Sequence, residues 1–270
     1  MYYINSNDKT QIAVFDLNPK GKQSIVLIHG WPLSHKMFEY QLPTFLSANY
    51  RIIMLDLRGF GDSQETADGY TYNQFATDLY YVVSSLGLYN FILLGFSMGG
   101  AIATRYMRLY NGYGVSKLCL LDSAVPSYCK TLENPYGQTL ESTNQLIDLG
   151  FNDRPSLNQY FGSIFFAKTP SVAFKNWFQD LSNSSSGIGE IKSLISLRDE
   201  NVFDDLKKIR VPTGIFHGKE DKICPFGMAQ IMNQEISNSV LFPLNNAGHG
   251  AFYDVKDIFN DALINFLEKS

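Results

Sequence analysis

At 270 residues, 45% hydrophobic and 18% charged, the chain can bury one large core with room for an insertion. A formal charge of −4 without a basic stripe argues against a nucleic-acid binder, and no apolar run approaches the ~18–20 residues that span a bilayer. Three scattered cysteines, Cys119, Cys129 and Cys224, fit neither a disulfide framework nor a zinc site, and residues 1–8 are too polar for a secretory signal. The expectation is a cytoplasmic protein with a small-molecule partner, and with neither nucleic acid nor membrane.

Short apolar runs at 12–15, 25–28, 52–55, 91–94 and 118–121 predict strands. The later ones are continuously apolar, as in a parallel sheet covered on both faces. Between them, Thr71 and Gln74 fit a capping box, and Tyr70 with Phe75 a hydrophobic staple. Phe75, Leu79, Val82, Val83 and Leu86 then form the apolar face of one helix. Another helix is expected over about 99–110. From about 127 to 205 strand signals stop and aromatic residues gather, among them Tyr160, Phe161, Phe165, Phe166 and Phe178. The alternation resumes at 211–216 and 240–242, and an amphipathic helix over 255–267 closes the chain. This is an α/β pattern: a core from residues 1–126 and 206–270, with a helical insert at 127–205.

Gly95-Phe96-Ser97-Met98-Gly99 reads G-x-S-x-G between a strand and a helix. Strand and helix pass closely at such a turn, so side chains two residues either side of the serine would clash. Ser97 is expected in a strained conformation that thrusts its hydroxyl outward, with free N–H groups of the helix facing the site. A serine hydroxyl needs a base to act as a nucleophile. Of four histidines, His29 and His217 end strands, and His35 begins an expected surface helix. His249, between Gly248 and Gly250 in a late loop, suits the order serine, acid, histidine. Asp221, after the strand ending at Phe216, is the expected acid, with Asp122 at the end of the 118–121 run as the alternative. One oxyanion donor is the N–H of Met98. The other should come from the loop His29-Gly30-Trp31-Pro32, where Pro32 has no N–H and Trp31 is the candidate. Cys224 is read as a small buried hydrophobe.

The stretches "HGWPLS" (29–34), "DLRGFGDS" (56–63), "GFSMGG" (95–100), "HGKEDKICPF" (217–226) and "AGHG" (247–250) together resemble the α/β-hydrolase family, within it the aryl esterases, perhydrolases and cofactor-free haloperoxidases. The resemblance covers nearly the whole chain. It implies an eight-stranded, mostly parallel sheet flanked by helices, with residues 127–205 as a cap over the site. It further implies a small apolar pocket lined by Pro32, Phe96, Val125, Phe161, Phe165, Ile223 and Phe226, and neither metal nor cofactor. Arg58 is given an architectural role. Pro32, after the oxyanion tryptophan, resembles members that let hydrogen peroxide replace water. The expected activity is hydrolysis of small carboxylic esters through an acyl-enzyme on Ser97. The alternatives are perhydrolysis with the same triad, cleavage of an amide or carbon–carbon bond, and slow-turnover ligand binding.

Overall fold

The computed structural model describes residues 1–269. Eight strands make one sheet: β1 (Tyr2–Asn5), β2 (Gln11–Leu17), β3 (Ser24–Ile28), β4 (Arg51–Leu55), β5 (Phe91–Phe96), β6 (Val115–Leu121), β7 (Thr213–Gly218) and β8 (Ser239–Leu244). Their spatial order is β1-β2-β4-β3-β5-β6-β7-β8. β1 with β2 and β2 with β4 are antiparallel, and every other pairing is parallel. β5 and β7 are buried along their whole length, which is why their sequences run apolar without alternation. β1 left no such mark. Its side chains are mostly exposed, and it joins the sheet through backbone pairing from Tyr2↔Val14 to Asn5↔Gln11.

Helices α1 (Leu42–Ser47), α2 (Tyr72–Ser85) and α3 (Met98–Leu109) connect the first strands, α9 (Gly227–Glu235) connects β7 to β8, and α10 (Ala251–Asp254) and α11 (Lys256–Glu268) follow β8. α2 begins as its capping signal requires, with the Thr71 hydroxyl accepting the Gln74 N–H. Between β6 and β7 the chain leaves the sheet to form α4 (Leu140–Asn152), α5 (Arg154–Phe165), α6 (Val172–Asn183), α7 (Gly187–Asp199) and the short α8 (Phe203–Leu206). Side-chain oxygens of Thr139, Asp153, Ser171 and Ser186 cap α4 to α7 in turn.

Arg58 is buried and architectural. It forms a bidentate pair with Asp78 of α2 at 2.7 Å and reaches Asp8, tying the 56–63 turn to the first hairpin. His35 corrects its surface reading. It starts a short 3₁₀ turn, His35–Phe38, but its ring stacks on Phe15 and bonds the buried Asp56 carboxylate. Among the described residues, no helix is long and apolar enough to cross a membrane.

Candidate active site

The ends of β3, β5, β6 and β7 meet along one edge of the sheet, where parallel α/β folds gather their ligands. β5 delivers Ser97 in the turn before α3, with φ +52° and ψ −119°, a backbone region that non-glycine residues rarely occupy. The glycines around it are required by space. A Cβ on Gly95 would run into the carbonyl of Gly99, and one on Gly99 would lie 2.5 Å from the carbonyl oxygen of Ile28. Gly30 is as constrained, since a Cβ there would stand 2.8 Å from that of Ser97.

The Ser97 hydroxyl lies 2.9 Å from Nε2 of His249, and the His249 Nδ1–H donates to Oδ2 of Asp221 at 2.8 Å. Oδ1 of Asp221 accepts the N–H groups of Ile223 and Cys224, both at 2.8 Å, so both its oxygens and both His249 nitrogens are committed. Asp122 lies beyond this chain. Its Oδ1 accepts the N–H of Gly218 at 2.7 Å. Burial, and next the charge of Asp221, push its carboxyl well above the usual range. His217 bonds the carbonyl of Cys224 at 2.6 Å through Nε2, and burial holds its pKa down. Burial raises the Cys224 thiol well above its ordinary value, so it stays protonated beside Asp221 and His249.

The loop after β3 places Trp31 beside the serine. Among the described residues, no protein acceptor takes the N–H of Trp31 or of Met98. The loop is braced by His29, whose Nε2 accepts the Leu57 N–H at 3.0 Å while Nδ1 donates to the Gly30 carbonyl at 2.9 Å, an assignment that follows from the two partners. The Trp31 indole donates to the backbone carbonyl of Glu190 on α7 at 2.8 Å, pinning the ring to the helical insertion.

Ser97 opens into a cavity of about 520 Å³. Phe161 and Ile223 line it, as does Trp31, but the other expected wall residues stand elsewhere. Phe96 and Phe165 pack against the His249 ring, each with centroids 5.0 Å away, and so shape the base rather than the wall. Val125 is buried in the core, Phe226 sits edge-on to His217, and Pro32 is buried in the turn that Leu33 N–H closes on Gly30. The apolar wall comes instead from Leu146 and Leu149 of α4, Leu157 of α5, and Leu194 and Leu197 of α7. Tyr128, Gln138, Ser142, Gln145, Tyr160 and Lys222 supply polar atoms. Helical periodicity in 140–199 could have found the leucines; nothing local in the sequence marks Gln138 or Lys222.

A strained serine flanked at two residues' distance by glycines, a histidine and an aspartate stand in hydrogen-bonded series beside two unengaged N–H groups. Residues 23–255 match the family described as the alpha/beta hydrolase fold, and the chain belongs to that family. It is 41% identical over 98% of both chains to the AB hydrolase superfamily protein YisY of Bacillus subtilis. Its structure is similar to an esterase from Exiguobacterium antarcticum, with a TM-score of 0.96, 41% identity and 99% of each chain covered. It is also similar to a bromoperoxidase from Bacillus anthracis, with a TM-score of 0.94, 31% identity and the same coverage.

Proposed function

We propose that the protein is a serine esterase of small carboxylic esters, working through an acyl-enzyme on Ser97. The observation that carries this reading is the unbroken series Ser97–His249–Asp221, opening on a largely apolar cavity. His249 takes the Ser97 proton as Oγ attacks the acyl carbon, then returns it to the departing alcohol. Asp221 holds the imidazole in the tautomer that leaves Nε2 free to accept. The N–H groups of Trp31 and Met98 receive the oxyanion, and water then releases the acid. Residues 127–205 act as the cap that excludes bulk water, and the core comprises 1–126 and 206–270. The three free, buried thiols suit the reducing cytoplasm. The test is steady-state hydrolysis of p-nitrophenyl acetate by wild type and Ser97→Ala. A fall in kcat of at least about 10³-fold is expected. Equal rates in both proteins would overturn the esterase reading.

Perhydrolysis is a second reading, favoured by Pro32 directly after Trp31 and by similarity to a protein titled bromoperoxidase. Peroxide would attack the acyl carbon, the Ser97 Oγ–carbon bond would break, and Oγ would recover its proton through His249, releasing a peracid. The Trp31 carbonyl, restrained by Pro32, would accept a hydrogen bond from the incoming peroxide. Pro32→Leu is expected to lower the ratio of peracid formation to hydrolysis. An unchanged ratio would remove this reading and leave the esterase intact.

A further inference from the structure

A second groove, of about 530 Å³, adjoins the cavity that opens on Ser97. α5 serves both: Tyr160, Phe161 and Ile164 face the cavity, and Gln159, Gly162 and Ser163 the groove. Lys168 and Lys175 line the groove, and Lys222 lines both spaces. No aspartate or glutamate is among the lining residues. Among the described residues, none of these three ammonium groups makes an ion pair or a hydrogen bond; what sets them apart from the chain's other unpaired lysines is that they line one groove. In a chain of net charge −4, three unengaged lysines around one carboxylate-free groove are a local excess of positive charge.

The groove is also mechanically close to the catalytic machinery. The Gln138 side-chain amide donates to the carbonyls of Lys222 and Ile223, both at 2.9 Å, fixing the shared rim. Ala167, in the groove wall, donates its N–H to Oδ2 of Asp254 at 2.8 Å. That same oxygen accepts the N–H of Gly248, next to His249, at 2.9 Å. Asp254, whose carboxylate feels Lys168, is thus turned onto backbone donors.

We propose that this groove binds an anionic group, carboxylate or phosphate, on the leaving-group side of the ester, while the acyl part occupies the apolar cavity. The proposal rests on the esterase reading above. A charged group has no partner among the leucines of the cavity and would lose its hydration there, whereas the rim at Lys222 leads it to cations. The chemistry therefore selects esters of alcohols or phenols that carry a negative charge several atoms from the scissile bond.

Two acetate esters of matched leaving-group reactivity test it: 4-ethylphenyl acetate, and 3-(4-acetoxyphenyl)propanoate, which adds a carboxylate. Replacing Lys168 and Lys175 together by Gln should lower kcat/KM for the carboxylate ester about fivefold. The neutral ester should be unaffected, and added salt should reproduce part of the loss in wild type. Equal effects on both esters, or on neither, would overturn the proposal. A direct readout does not depend on turnover. Binding of the product 3-(4-hydroxyphenyl)propanoate, followed by calorimetry, should weaken about fivefold in the double variant. Unchanged binding would sink the groove even in a protein that hydrolyses neither ester, the result that would separately sink the esterase reading. Inorganic phosphate should compete only with the carboxylate ester. If it altered turnover of 4-ethylphenyl acetate instead, the groove would be an effector site and the subsite assignment would fall.

Discussion

Asp221 and Asp122 both sit at the ends of neighbouring strands, and their hydrogen bonds tell them apart. Asp221 faces the Nδ1–H of His249, while Asp122 faces the N–H of Gly218, and burial and the Asp221 charge raise its carboxyl and disfavour a second anion. Asp221→Asn should therefore lower kcat about 10³–10⁴-fold by presenting the wrong hydrogen-bond partner to the imidazole. Asp122→Asn, shaped like the protonated acid, should stay within about threefold of wild type. Esterase assays on the two variants check both, and a collapse of Asp122→Asn would reverse the roles. The sequence left this choice open because both residues follow apolar runs, and only the fold of the His249 loop decides which carboxylate it meets. The candidate Ser97 was legible because Gly95 must clear the carbonyl of Gly99 four residues on, and the candidate His249 from its late place after a strand, whereas its glycines answer to the distant insertion. The cavity wall was legible at Phe161, at Ile223 and at Trp31, whose bulky ring was expected there. Phe96 and Phe165 are as aromatic as any wall residue, but packing turns them onto the base.

The strands and α2 could be read because their signals are local: continuous apolar runs, and a cap at Thr71. β1 could not, because an exposed edge strand needs no apolar pattern, and the helices of the insertion were foreseen only as a segment without strands. α7 shows what that segment contributes. Glu190 is wholly buried; its Oε2 accepts from Arg154 at 2.8 Å, from Ser185 at 2.6 Å and from Asn158 at 3.3 Å, joining α5 to α7. Burial raises its carboxyl pKa despite these donors, so the contact holds only while all its partners stay in place. Glu190→Ala should cost about 2 kcal/mol of unfolding free energy by removing the buried acceptor shared by Arg154, Ser185 and Asn158, as measured by urea denaturation. A loss below half that would mean the insertion is held by its leucines and aromatics alone.

For the molecule as a whole, two imidazoles tie stability to pH. Burial lowers the pKa of both His29 and His217 in the folded state. In the unfolded chain each titrates near about 6.5. Above that pH both states are neutral and stability is full; as pH falls below it, the unfolded state binds more protons and stability declines. Thermal melts should show Tm dropping from about pH 6 downward, less steeply than the two imidazoles alone would give, because the Asp122 carboxyl, raised by burial, contributes in the opposite sense. A Tm independent of pH over that range would mean that neither imidazole is held neutral. The loop that carries His249 has one more dependence. Gly250 donates its N–H to the Phe165 carbonyl at 3.0 Å, and a Cβ on Gly248 would lie 2.7 Å from the Ala167 nitrogen. Residues 165–167 belong to the insertion by sequence and to the base by contact. A chimera that exchanges the whole insertion for that of a relative would therefore unseat the His249 loop along with the cavity wall, whereas transplanting α4 and α7 alone changes the wall and leaves the loop seated.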